Sequence, residues 1–155
     1  MSDNRQINKK YAKIGAELIQ TEDALIDIRN SQATIIYLSS DYPKMDKGRM
    51  VLGQCERVAD KYKWGIPADF TITLFEPNLE GKSTEAIRRI ILHELLHVGI
   101  GTNKDNDEVY SINPHDLEDF KLLVDRWGTD WDKVDDDPVF EADIDEWKEV
   151  KEDGK

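Results

Sequence analysis

Cysteine is almost absent from this chain of 155 residues: Cys55 is the only one, so no disulfide can close within it, and a reducing compartment is the expected setting. Long apolar runs are missing too. The longest, over residues 90–100, is interrupted by His93, Glu94 and His97, which excludes a membrane-spanning helix there. The opening Met1-Ser2-Asp3-Asn4-Arg5 lacks the apolar centre of a secretory signal, so the expectation is a cytoplasmic protein with no membrane contact. Positive charge is in deficit, with 21 Lys and Arg against 33 Asp and Glu, a net −12. Displacing counterions from nucleic acid needs a positive surface, so no nucleic-acid partner is expected. No internal repeat is visible.

The deficit is uneven. Residues 129–155 hold 12 acidic against 4 basic side chains, a balance of −8 that leaves only −4 for the rest. The chain therefore divides into a globular body over residues 1–128, long enough to bury a core, and an acidic tail over 129–155. A solvated, solubilising segment is the plain reading of such a tail, and a charge-mimic interaction module is the alternative. Phe140, Ile144, Trp147 and Lys151 recur at helical spacing, so part of the tail is expected to be an amphipathic helix. Asp130, Asp132 and the run 135–137 suggest calcium, but the glycine and closing glutamate of an EF-hand loop are missing.

Along the body, Ile7, Tyr11, Ile14 and Leu18 predict a helix over 5–20, and Thr21-Glu22-Asp23 caps a short second piece to residue 28. The β-branched and aromatic run 33–38 reads as a buried strand, broken by Asp41-Tyr42-Pro43, with an exposed loop over 44–49. Residues 50–62 are ambiguous; the run Met50-Val51-Leu52 before Gly53 favours a strand followed by a turn. Residues 70–75 form a clear strand, and Ser83 or Thr84 caps a long helix. That helix should stop at Gly99 and Gly101 through a left-handed cap, followed by a polar loop over 102–108. Asn113-Pro114 then starts a last helix to residue 127, burying Leu117, Phe120, Leu123 and Val124. This order predicts an α+β domain, a short antiparallel or mixed sheet packed on helices.

Histidine is scarce as well, and what there is lies together: His93, His97 and His115 share one 23-residue window. The first two frame His93-Glu94-Leu95-Leu96-His97, an H-E-x-x-H string. At about 100° per residue, His97 sits about 40° around the helix from His93, one turn on, and Glu94 lies about 60° beyond His97. Two imidazoles can therefore reach one ion, and the carboxylate can touch a water on that ion. Ile91, Leu95 and Val98 fall on the opposite side and would press the helix into the core.

A catalytic zinc takes three protein ligands and keeps one position for water. His115 is the natural third ligand, with Asp105, Asp107, Glu108 and Glu118 competing for the place. Asp116 or Asp119 could orient a ligand imidazole from outside. A structural zinc closed by Cys55 is the rival reading, in a non-catalytic interaction protein. With catalytic zinc, Glu94 is the general base of a hydrolase acting on a protein or peptide. Tyr110 is a candidate for stabilising the oxyanion, although a packed tyrosine is the plainer reading. Arg88 and Arg89 read as solvated surface.

The order of Gly53-Gln54-Cys55, Asp69-Phe70-Thr71-Ile72-Thr73, the histidine string and Pro114-His115-Asp116-Leu117-Glu118-Asp119-Phe120 resembles the phage metallopeptidases over most of residues 7–127. That resemblance implies a small zincin-like domain with His93, His97 and His115 on zinc and Glu94 as catalytic base. More distantly the chain is similar to the SprT-like proteases, which also place a strand before the motif helix and a third histidine beyond it. It lacks their Cys-rich zinc ribbon and basic DNA-binding segments, and Asp116 stands where they usually carry glycine.

Overall fold

The computed structural model describes residues 3–115 and 120–127. The tail and its expected helix, together with Asp116, Leu117, Glu118 and Asp119, lie outside these described residues. The architecture is α+β, with a mixed sheet on helices, as the element order predicts.

Its first element is a strand. Arg5–Ile7 (β1) pairs antiparallel with Ile35–Ser40 (β2), Arg5 opposite Ser40 and Ile7 opposite Leu38. The helix predicted from residue 5 starts only at Lys9 and runs to Thr21 (α1), because Asn8 accepts a bond from the Tyr11 N–H and caps it. Ile7 consequently stands exposed, while Tyr11, Ile14 and Leu18 are buried as predicted. A 3₁₀ turn over Asp23–Leu25 leads into the short helix Ile26–Arg29 (α2).

The loop expected over 44–49 is a small hairpin, Met45–Asp46 (β3) with Arg49–Met50 (β4). Lys47 and Gly48 between them both have positive φ, 51° and 78°, which matches the right-handed twist of paired strands. The ambiguous stretch resolves into a strand three residues later than expected, Gly53–Arg57 (β5), with Gly53 opening it rather than ending it. Phe70–Phe75 (β6) is the strand predicted there. It pairs parallel with β2 and antiparallel with β5, giving the order β1-β2-β6-β5.

Ser83 caps Thr84–Leu95 (α3), its hydroxyl accepting from the Ala86 N–H. Tyr37, Ile72 and Cys55 stand side by side across the sheet in register, on the face that α1 and α3 cover. Ile90, Ile91, Leu92 and Leu95 of α3 are at most 1% exposed in that core, so burial fixes the helix in rotation as well as position.

Past α3 the expected order fails. Gly99 and Gly101 are not caps but belong to the strand Val98–Thr102 (β7), which turns through a five-residue loop into Glu108–Ile112 (β8). Asn103 makes that loop, its side chain accepting from the N–H groups of Asp105 and Asp107. Asn113, Pro114 and His115 are not helical, and the last helix among the described residues spans Lys121–Trp127 (α4), with Phe120 and Leu123 in the core. No helix among the described residues is long and apolar enough to cross a membrane.

Candidate metal centre

Ile91 and Leu95 of α3 are fully buried, whereas His93 between them is only half-buried. The regular helix ends at Leu95, two residues short of His97. Leu96 continues it as a turn, and the His97 N–H still reaches the Glu94 carbonyl at 3.1 Å. The one-turn spacing of the motif therefore survives the end of the helix, and the His93 and His97 rings stand 5.2 Å apart. The hairpin β7–β8 then carries the chain out and back. Residue 113 returns beside residue 97, and His115 meets the other two. Its Nε2 is 3.0 Å from Nε2 of His93, and one ligand atom from each histidine lies within 4.8 Å of the others.

Proton positions follow from the partners. His97 Nδ1 is 2.7 Å from the Asn113 carbonyl oxygen, which only accepts, so Nδ1 carries the proton and Nε2 is left with its lone pair. His93 Nδ1 is 2.8 Å from Glu94 Oε2, and a carboxylate accepts in the same way. The Nε2 atoms thus face inward, and the 3.0 Å approach of two of them is satisfied by a shared proton or a shared cation. Bonds of about 2.0–2.1 Å to one ion span such a gap, so the donor set fits a metal held by three imidazoles. Among the described residues the group is His93, His97 and His115; Cys55, Asp105, Asp107 and Glu108 stand outside it.

Glu94 is buried, 4% exposed, between its bond to His93 and strand β5. Gly53 makes that space. A Cβ there would lie 3.1 Å from Glu94 Cγ and 3.3 Å from both Oε2 and the Thr73 carbonyl oxygen. Neighbouring Cys55 has its thiol pushed up by burial, with the charges of Glu94 and Glu56 adding to it.

Asn113 has the sequence form of a helix cap, but it instead clamps the turn at His97. Its N–H donates to the His97 carbonyl at 2.7 Å, and its Nδ2 donates to the carbonyls of Leu96 and Val98. This explains Gly99, where a Cβ would come 2.5 Å from Ser111 Oγ and 2.8 Å from Asn113 Oδ1. The sequence marks Phe120 only as core, yet its ring packs against all three imidazoles. No linear pattern signals that contact.

The Tyr110 hydroxyl donates to Glu108 Oε1 at 2.7 Å and its ring packs edge-on against Phe70. Burial pushes the hydroxyl up to about 12, and the bond to Glu108 and the charges of Asp69 and Glu108 add to it. Arg88 pairs with Glu17, as a surface arginine does. Arg89 departs from the expected surface reading: it is 7% exposed, bonded to Glu85 and stacked 4.1 Å over Trp127. Asp116 and Asp119 lie outside the described residues.

No curated protein and no solved structure matches the chain. A family model does, over residues 4–138, and its description is Putative phage metallopeptidase.

Proposed function

The chain belongs to that phage metallopeptidase family, and from this premise we propose that it is a zinc-dependent peptidase cutting a protein or peptide substrate. His93, His97 and His115 would hold the zinc through Nε2. When bound, zinc supplies a Lewis acid that polarises a carbonyl and brings the pKa of a water near neutrality. The chain's own part is to orient and to move protons. Glu94 keeps the proton of His93 on Nδ1 through Oε2, and so keeps Nε2 directed inward. Its other oxygen, Oε1, has no hydrogen-bond partner among the described residues, and is the atom that would take the proton of the attacking water and return it to the leaving amine. The Asn113 carbonyl fixes His97 in the same tautomer.

One observation carries the reading: three imidazole nitrogens converge within 4.8 Å beside a buried carboxylate bonded to the first of them. A structural zinc would require a fourth protein ligand, and among the described residues the group ends at three.

The test is zinc content and cleavage of denatured casein and a mixed peptide pool by wild type and Glu94→Gln. Glutamine keeps an acceptor for His93 but cannot take a proton. The expected result is retained zinc with activity lowered at least 10²-fold, the order associated with a lost general base. Equal activity in both proteins removes Glu94 from the chemistry.

A further inference from the structure

The three imidazoles have a fourth ring among them. The Phe120 centroid lies 5.4 Å from that of His93, 4.8 Å from His97 and 5.0 Å from His115. The histidine rings are themselves 5.2, 5.0 and 4.5 Å apart, so the four centroids sit at the corners of a nearly regular tetrahedron. All three contacts of Phe120 are steeply tilted, at 62–73°, the edge-to-face arrangement that aromatic pairs favour.

Phe120 itself is firmly held. It is 6% exposed, part of the main core, and directly precedes α4. That helix is fastened to the body away from the histidines, by Arg126 on Glu22 at 3.0 Å and by Trp127 under Arg89. The histidines come from three different settings: the last turn of α3, the turn after it, and the segment beyond β8. Among the described residues, Phe120 is the side chain whose ring packs on all three.

We propose that Phe120 is the positioning residue of the metal centre: its phenyl ring is the common support that fixes the three imidazole planes, and through them the affinity and coordination geometry of the bound ion. This rests on the reading of His93, His97 and His115 as metal ligands. Each χ2 angle is a soft torsion, so an imidazole without packing swings. A bond through Nδ1 restrains one point of a ring, whereas a phenyl ring pressed against it restrains the plane.

The experiment uses the full-length chain as wild type, Phe120→Leu and Phe120→Ala, stripped with a chelator and titrated with Co²⁺ alone and with Zn²⁺ alone. The melting temperature of each metal-free protein is recorded alongside. Loss of such outer support weakens metal binding on the order of 10–100-fold, which is the expectation for Phe120→Ala. Its visible Co²⁺ absorption bands should also shift and change intensity. Leucine keeps bulk without a flat face, so its affinity and spectrum should fall between alanine and wild type.

If both variants melt lower but keep the wild-type dissociation constant and Co²⁺ spectrum, Phe120 is a core residue only and the proposal is overturned. Should the alanine variant fail to fold, the leucine variant decides alone by the same two readouts. Failure of the wild type to bind either ion overturns the metal reading itself, an outcome distinct from unchanged binding in the variants.

Discussion

His97 and Asn113 bond to each other twice: the ring Nδ1 donates to the Asn113 carbonyl at 2.7 Å, and the Asn113 N–H donates to the His97 carbonyl at 2.7 Å. This reciprocal pair ties the end of the motif helix to the segment that delivers His115. The fifteen residues of hairpin from Val98 to Ile112 thereby begin and end at one point.

The backbone half of that clamp survives mutation, but the side-chain half does not. Asn113→Ala removes the two bonds from Nδ2 to the Leu96 and Val98 carbonyls, at 3.3 and 3.2 Å. Each bond of this kind contributes about 0.5–1.5 kcal/mol. Urea unfolding of the metal-free protein should therefore show a loss of about 1–3 kcal/mol, and zinc titration a weaker site. An unchanged zinc affinity would separate the clamp from the ligands.

Gly53→Ala tests the space beside Glu94. Its new Cβ, 3.1 Å from Glu94 Cγ and 3.3 Å from the Thr73 carbonyl, meets backbone on one side, so the glutamate must give. Cleavage of casein should fall at least tenfold while zinc content stays at the wild-type level, because a small shift of Glu94 leaves its bond to His93 in place. If activity holds, the position of the carboxylate against β5 is not what catalysis needs.

Much of the site is legible in the order of the residues. Scarcity singles out the three histidines, and the spacing of His93 and His97 needs only helical periodicity. The run 70–75 has the β-branched and aromatic make-up of a buried strand, and Ser83 has the chemistry of a cap. What stays hidden depends on contacts across the chain. Arg5–Ile7 is a strand because β2 offers it an edge, not because three residues prefer to be extended. Gly99 imitates a helix stop, but glycine is needed there because Ser111 and Asn113 crowd its Cα. Asn113 before Pro114 has the form of a cap, yet its side chain satisfies carbonyls some sixteen residues back.

Tyr37 offers a stability test away from the site. Its hydroxyl is buried and has no hydrogen-bond partner among the described residues. Tyr37→Phe should raise stability by about 1 kcal/mol, the desolvation cost of such a group. Gly15→Ala should destabilise with either residue at position 37, because a Cβ at Gly15 overlaps ring carbons as well as the hydroxyl. Thermal unfolding of the four combinations checks both statements. A Tyr37→Phe protein that melts lower would mean that the hydroxyl is satisfied in solution.

Asp69 should give a pH signature. Burial pushes its carboxyl up, but the N–H and hydroxyl of Thr34 and the ammonium of Lys63 together outweigh it and hold the group below its ordinary value of 3.8. A depressed folded-state value contributes stability in full above 3.8, and that contribution disappears as pH falls through the folded-state value. The stability gap between wild type and Asp69→Asn, both with chelator present, should be constant near neutrality and narrow below about pH 4. A gap independent of pH down to about 3 would contradict the ion pair.

The hairpin also acts as a ruler with a parity. From Val98 opposite Ile112 at its base to Thr102 opposite Glu108 at its tip, side chains alternate between faces every residue. One extra residue in a single strand would turn Asn113 to the wrong side and carry His115 with it. A pair of insertions, one in each strand, would only lengthen the arm. Extra residues in the five-residue tip would not be felt at the histidines at all. Among natural variants of this chain, length should therefore drift freely at the tip, change by matched pairs along the strands, and stay constant between Leu96 and Val98.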